Sequence, residues 1–459
     1  MNKWPCAWYE VNPPKRILII GGGYTGLTAA YELSKHAGLS ISVIERSDQI
    51  GGLASGFSVQ GTNLEKAYHH LFRTDRHVLE LANELGLQDK LLWCSSSMGI
   101  FLGGRIYPFM SPMDLLRFRP CSLSSRVRIG LVMLYLQKAK KWGRFATRTA
   151  YDWMTRACGA EAMRTIWEPL LRGKFDRHFD KVSMAWLWAR IHIRVNSRKG
   201  SAGVEKLGYF RGGFNELTRR LEEELIRRGV RVETRAEVSS LNEGWALVNG
   251  KHEAFDRCLF TGPCSSMAKL LPADPGLAGY KRQLDSVAYL GAICLIFVSD
   301  QDLGGPYWLN VNEATAPFLV CLQHTRLVGP ELYGGYHVYY LGAYRPHESA
   351  AFTQSEQELT NEWLAYVGRI FPHFDKKRIV EQHLFRFKWA QHVVDVPYPQ
   401  QIPSHRTPLS GVFMSNFAQI FPEDRGTNYA VREGRNIARL ILEDLRGSQD
   451  KTTAALRAE

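Results

Sequence analysis

Two spacings of apolar residues alternate along the chain. In RILIIGGGYTGLTAAYELSKHAGLSISVIE the run Arg16 to Ile20 is apolar beyond its first residue, as in a strand covered on both faces, and it stops at a glycine cluster. Leu27, Ala30, Tyr31 and Leu33 then recur at helical spacing, and SISVIE returns to a strand that ends on Glu45. The pattern repeats at YFRGGFNELTRRLEEELIRRGVRVETRAEVSSL. Gly212 and Gly213 precede a helix with Leu217, Leu221 and Leu225 on one face, Gly229 ends it, and VRVETRAEV reads as a strand. HEAFDRCLFTGP adds a short strand ending at Gly262 and Pro263, and YLGAICLIFVSD, FLVCLQHT and YHVYYLGAY read as three more. Near the end, Gly411 to Met414 predicts a strand, followed by a helix with Ile437, Leu440 and Ile441 on one face and Arg432, Arg435 and Arg439 on another. Strands and helices alternate, so an α/β fold is expected.

The first glycine cluster carries chemistry. Gly21, Gly23 and Gly26 form G-x-G-x-x-G between a strand and a helix. The first glycine takes a backbone angle other residues resist, the second admits a pyrophosphate, and the third lets helix and strand pack closely. The helix N-terminus would face the phosphates, and Glu45, 19 residues after Gly26, stands where a carboxylate accepts from a ribose hydroxyl. The sequence continues through Arg46 as RSDQIGGLASGF, placing a second pair, Gly51 and Gly52, with Leu53, just beyond the acid. This two-part motif resembles the FAD-binding signature of the superfamily containing amine oxidases, protoporphyrinogen oxidase, phytoene desaturases and UDP-galactopyranose mutase.

The resemblance implies FAD, held noncovalently, in a Rossmann-like FAD-binding domain of the glutathione-reductase type, with a mixed-sheet substrate domain and a helical insertion. The cofactor domain is expected to be discontinuous, over 12–100, 205–285 and 405–447. The insertion would take 101–204, the substrate sheet 286–404, and a flexible tail 448–459. By the same resemblance Val238 places backbone groups on the adenine. Ser415 and Asn416 stand where superfamily members usually carry Gly-Asp, so Asn416 is expected at the ribityl or pyrophosphate region. In PEDRGTNYA, Gly426, Thr427 and Asn428 would open a helix whose partial positive charge faces the flavin N1/O2 edge.

The reaction is less sharply encoded. EKAYHHLFRTD resembles the histidine loop of the mutase branch: His70, Phe72, Thr74 and Asp75 line up with it, and Arg73 replaces a second histidine. His69 or His70 is a candidate proton-transfer group with an ordinary pKa of ~6.5; alternatively one packs the loop and the other is solvated. In WEPLLRGKF, Glu168 and Arg172 either face the cavity or serve as a cap and a surface arginine. In FPEDRG, Glu423, Asp424 and Arg425 either brace the flavin loop as an ion network, or Arg425 meets an anionic group of the substrate. No Ser/His/Asp or metal-ligand constellation stands out, and no metal is expected.

Composition narrows the partners. The 459 residues carry a formal charge of +13, and 45% are hydrophobic, as in a globular chain. Nine Lys or Arg face the single acid Asp114 between Ser111 and Arg148, where Val127, Leu131, Leu134 and Tyr135 fall at helical spacing. That face either lies on an anionic membrane or admits a lipid-like substrate, or else it is buried against the cofactor domain. No nucleic-acid-binding signature accompanies the charge. Eight scattered cysteines without C-x-x-C pairs suit a reducing cytoplasm. MNKWPCAWYEVNPPKR lacks an export signal, and no apolar run approaches the ~18 residues of a membrane span. The location expected is cytoplasmic, with a peripheral place on the inner face of the membrane as the option if the basic stretch binds lipid; oligomeric state is left open. The function expected is an FAD-dependent oxidoreductase, an oxidase or desaturase taking hydride from an apolar or conjugated small molecule. A non-redox mutase acting on a nucleotide sugar and a catalytically weak flavoprotein scaffold are the alternatives.

Overall fold

The computed structural model describes residues 13–197 and 205–456, with side chains to residue 447. The readings of the N-terminal dozen residues, of 198–204 and of 457–459 lie outside the described residues.

The glycine-loop strand Lys15–Ile20 is the centre of a five-stranded parallel sheet in the order Val412–Met414, Arg257–Phe260, Lys15–Ile20, Leu39–Ile44, Arg231–Glu233. Its side chains alternate between two cores, which is why the run reads as continuously apolar. Ile17 and Ile19 face a helical layer of Tyr24–Leu33, Asn215–Arg227 and Thr427–Leu456. Leu18 and Ile20 face a three-stranded antiparallel sheet, Val238–Asn242, Trp245–Val248 and Lys251–Ala254, and the helix Cys264–Leu270. Leu217, Leu221 and Leu225 are fully buried, as their spacing predicts. VRVETRAEV splits: Arg231–Glu233 joins the parallel sheet and Val238 starts the antiparallel one, with a positive φ at Arg235 between them.

A seven-stranded mixed sheet follows the order Ile379–His392, Tyr289–Ser299, His337–Arg345, Val320–Gln323, Trp308–Val311, Met98–Leu102, Arg105–Pro108. The last two strands correct the expected boundary at residue 100, since the pair completes this sheet rather than ending one domain and opening a helical insertion. Its hairpin turns at Gly103 and Gly104, both with positive φ, a signal the sequence carries as GG between MGIFL and RIYP.

The insertion proper holds the helices Leu123–Lys138, Ala150–Cys158, Glu168–Phe175 and Met184–Ser197. Trp188 Nε1 donates to Leu136 O at 3.1 Å and ties two of them together. The C-terminal helix runs on to Leu456, through much of the stretch expected to be a tail. Among the described residues no helix is long and apolar enough to cross a membrane.

Candidate cofactor and substrate site

Local geometry explains the glycines. Gly21 has φ +114°, and a Cβ there would lie 2.2 Å from Thr261 Oγ1; one on Gly26 would lie 2.1 Å from Gly21 O. Gly23 caps the helix Tyr24–Leu33 without a side chain, so the first-turn N–H groups stay available to a ligand. The second pair docks on the first: Gly51 N–H donates to Gly22 O at 2.8 Å, and Gly52, at φ +60°, brings its backbone against Gly23. A Cβ on Gly52 would lie 3.1 Å from Gly23 Cα and fill the space between the loops. Leu53 continues this turn, half-buried.

Glu45 closes the cradle. Its Oε2 accepts from Gly22 N–H and its Oε1 from Ser47 N–H, each at 2.8 Å, which holds the carboxylate at the loop while leaving lone pairs for a ribose. Arg235 and Ala236 N–H donate to Ser47 O and Glu45 O, so the chain leading into Val238 runs alongside this edge. Arg46 is exposed, its guanidinium 5.6 Å over the Trp389 ring. The uncapped helix start, the side-chain-free space between two glycine loops and the carboxylate fit the phosphates and ribose of FAD.

In the third expected cofactor segment two side-chain amides bond to the protein itself. Asn416 is buried and its amide is engaged: Nδ2 donates to Gly262 O at 2.8 Å and Oδ1 accepts from Ala418 N–H at 2.9 Å. An aspartate could not make the first of these bonds, so the asparagine clamps two strand ends together. Neighbouring Ser415 Oγ is buried without a hydrogen-bond partner. Asn428 Oδ1 accepts from His77 and Val78 N–H at 2.9 and 3.3 Å, so this side chain caps the helix Arg76–Glu84. Gly426 is exposed and Thr427 half-buried at the start of the C-terminal helix. That helix presses on Tyr24–Leu33 so closely that a Cβ on Gly434 would lie 2.7 Å from Thr25 O.

The histidine loop sets both imidazoles among aromatic rings. His69 Nδ1 donates to Ala67 O at 2.7 Å, and His70 Nδ1 meets the Tyr307 hydroxyl at 3.1 Å, with its ring edge-on to Phe72 and Trp308. Both side chains are half-buried. Burial pushes His69 down to about 4; burial, with Arg194 nearby, pushes His70 down to about 3. Neither has the ordinary pKa expected of it, and both imidazoles are neutral at physiological pH.

A charged centre lies nearby. Asp424 Oδ2 accepts from Lys174 Nζ at 2.9 Å and Arg190 Nη1 at 2.7 Å, and its Oδ1 from Trp186 Nε1 at 3.2 Å. Burial works against the charged carboxylate, yet Lys174, Arg190 and Arg425 outweigh it and hold Asp424 well below the usual range. Arg425 Nη2 donates to Tyr344 Oη at 2.9 Å, and Tyr344 adjoins Tyr68. Burial raises the Tyr344 phenol, but Lys174 and Arg425 outweigh that and lower it. In WEPLLRGKF the inward residue is Lys174. Glu168 and Arg172, the residues singled out from sequence, pair with each other at 2.7 Å, and Arg172 is exposed. Lysine within LLRGKF was the available signal; Tyr344 had none, since any strand tyrosine reads as core. Among the described residues no group of three His, Cys, Asp or Glu side chains is placed to hold a metal ion.

The profile of a family described as flavin containing amine oxidoreductase matches residues 24–442. The mitochondrial protoporphyrinogen oxidase of Nicotiana tabacum is 22% identical over 60% of this chain and 63% of its own length. The coproporphyrinogen III oxidase of Bacillus subtilis is 24% identical over 58% of this chain and 64% of its own. The chain thus spans under two thirds of the length of these relatives. A reduced UDP-galactopyranose mutase superposes with a TM-score of 0.73 at 14% identity, covering 94% of this chain and 96% of that one. That likeness is of fold and carries nothing of the mutase reaction.

Proposed function

This chain belongs to the flavin containing amine oxidoreductases, a family of FAD-dependent enzymes, and on that premise we propose that it takes hydride from a C–H bond of an apolar or conjugated small molecule. The observation that carries the reading is the docking of the Gly51–Gly52 turn on the Gly21–Gly23 loop, with a space between them that a single Cβ would fill.

FAD, when bound, supplies the hydride acceptor. The chain's own residues hold and orient. Backbone N–H groups of the glycine loop and the first turn of Tyr24–Leu33 would take the pyrophosphate, and Glu45 the adenosine ribose. Gly426 and Thr427 start the C-terminal helix, whose partial positive charge favours electron density placed before it. Tyr68, Trp308, Phe72 and the neutral His70 offer an apolar, aromatic wall to a substrate. Neutral histidines suit orientation and water exclusion better than proton transfer at pH 7.

The proposal extends to an anionic membrane. Among the described residues, eight of the ten exposed large apolar side chains fall between Met113 and Trp142, interleaved with Arg117, Arg119, Arg126, Arg128, Lys138 and Lys140. A cytoplasmic enzyme resting there would receive a lipid-like substrate from the bilayer.

The testing experiment is an absorbance spectrum of the purified protein, then anaerobic reduction and readmission of air. A flavin band that bleaches and returns within seconds is expected of an oxidase, and a slow return of a desaturase with another acceptor. Absence of any flavin band after reconstitution with FAD overturns the reading.

A further inference from the structure

Four charged side chains from three separate stretches of chain meet at the substrate side of the molecule. Lys174 comes from the helix Glu168–Phe175, Arg190 from Met184–Ser197, and Asp424 and Arg425 from the loop before the C-terminal helix. Asp424 is saturated by Lys174, Arg190 and Trp186. Two other acids are paired elsewhere, Glu423 with Arg432 at 3.2 Å and Glu205 with Arg194 at 3.1 Å. Three cations therefore share one carboxylate. Arg425 has no carboxylate within 4.0 Å among the described residues; Nη2 reaches the Tyr344 hydroxyl, and its buried Nε has no hydrogen-bond partner. Lys174 is 8% exposed, and its ammonium sits 5.0 Å from the centre of the Tyr344 ring.

Lys174 is buried and Arg425 half-buried, while Arg190 reaches solvent at the mouth of the cluster; the desolvated part of this positive surplus is costly unless an anion enters to balance it. The Arg425 guanidinium keeps an unpaired donor in Nε, the Tyr344 hydroxyl stands beside it, and aromatic rings adjoin the cluster. We infer that Arg425, Lys174 and Arg190, with the Tyr344 hydroxyl, receive the carboxylate or phosphate of an otherwise apolar substrate and turn away ligands bearing an ammonium group. Calling that ligand a substrate rests on the oxidoreductase reading; the anion preference itself rests on the charge arrangement alone. It also sets this chain apart from an enzyme for protonated amines, which three cations would repel.

The test is a titration of the oxidised, FAD-loaded protein with decanoate, decyl phosphate and decylamine, following thermal unfolding and the flavin band. Decanoate or decyl phosphate is expected to raise the Tm saturably, and decylamine to leave it unchanged. Arg425→Gln should keep its flavin and weaken anion binding by about tenfold or more, with Arg425→Lys recovering part of the loss. If Arg425→Gln loses its flavin, Tyr344→Phe, which keeps the ring, carries the same comparison. Decylamine binding as tightly as decanoate, no response to either anion, or unaltered anion affinity in the variants would overturn the inference. Because the titration reads no turnover, a protein that ignores anions yet still bleaches and reoxidises refutes the subsite and leaves the oxidoreductase reading standing.

Discussion

Glu45 and Gly52 test the cradle residue by residue. Glu45→Gln keeps an acceptor for one of the two N–H groups but places an NH2 against the other donor, and it removes the charge that a ribose hydroxyl would meet. FAD affinity is expected to fall about tenfold, read as flavin released on dilution. Gly52→Ala puts a side chain at φ +60° into the gap facing Gly23, at a strain of about 1 kcal/mol that folding survives. The variant should fold with a near-normal far-ultraviolet spectrum and carry little flavin; full occupancy would refute the assignment of the gap. These positions were legible because a glycine's reason is local. Asn416 and Asn428 were not: each lies in a segment that reads as cofactor-facing, yet its amide is spent on a neighbouring strand end or helix start that only the fold brings near.

At the scale of elements, the helix Leu123–Lys138 shows what periodicity leaves open. Its apolar residues are numerous enough for two faces. The structure buries Ile129 and Leu136 and leaves Val127, Leu131, Leu134 and Tyr135 exposed, which removes the alternative that this stripe packs against the cofactor domain. Because Leu131 and Leu134 touch little, replacing both with Gln should shift the Tm by no more than the ~0.5 kcal/mol typical of surface changes. The same substitutions should abolish sedimentation with vesicles containing anionic lipid at low salt. Unaltered sedimentation would end the membrane proposal. The hairpin Met98–Pro108 makes a related point: its turn is written in Gly103 and Gly104, but the strand it pairs with, Trp308–Val311, lies some two hundred residues away.

Over the whole molecule, buried titratable groups set the response to acid. Burial pushes His69 and His392 down to about 4 and His70 and His324 down to about 3. Such groups stay neutral when folded and bind protons when unfolded, so the stability they contribute is present above pH 6.5 and lost as pH falls. Glu65 and Asp75 act in the opposite direction. Burial pushes both up to about 7, so they keep their protons when folded, and their contribution is lost as pH rises toward 7. Between pH 4.5 and 6.5 these four histidines oppose these two carboxyls, so across the six groups the unfolded state holds about two more protons. Stability should fall on acidification by up to about 3 kcal/mol per pH unit. Glu65→Gln, a stand-in for the protonated carboxyl that Tyr209 and Phe214 N–H contact, should steepen that fall by about 1 kcal/mol per pH unit. A Tm that is flat or rises on acidification across this window would contradict the assignment of neutral buried histidines.

The amino-acid sequence by itself determined the cofactor half of this protein. Strand, glycines, helix, strand and acid occupy one short unit, and the constraints that select Gly21, Gly26, Gly51 and Glu45 act between residues near in the chain or paired through adjacent parallel strands. The α/β class follows from the same local periods. Only the tertiary structure decided the charged centre, in which Lys174, Arg190, Asp424 and Tyr344 converge from two helices, a loop and a strand. Only it decided, too, that the histidine pair is neutral, since desolvation depends on what the rest of the chain packs around a side chain, and no spacing along the sequence encodes that.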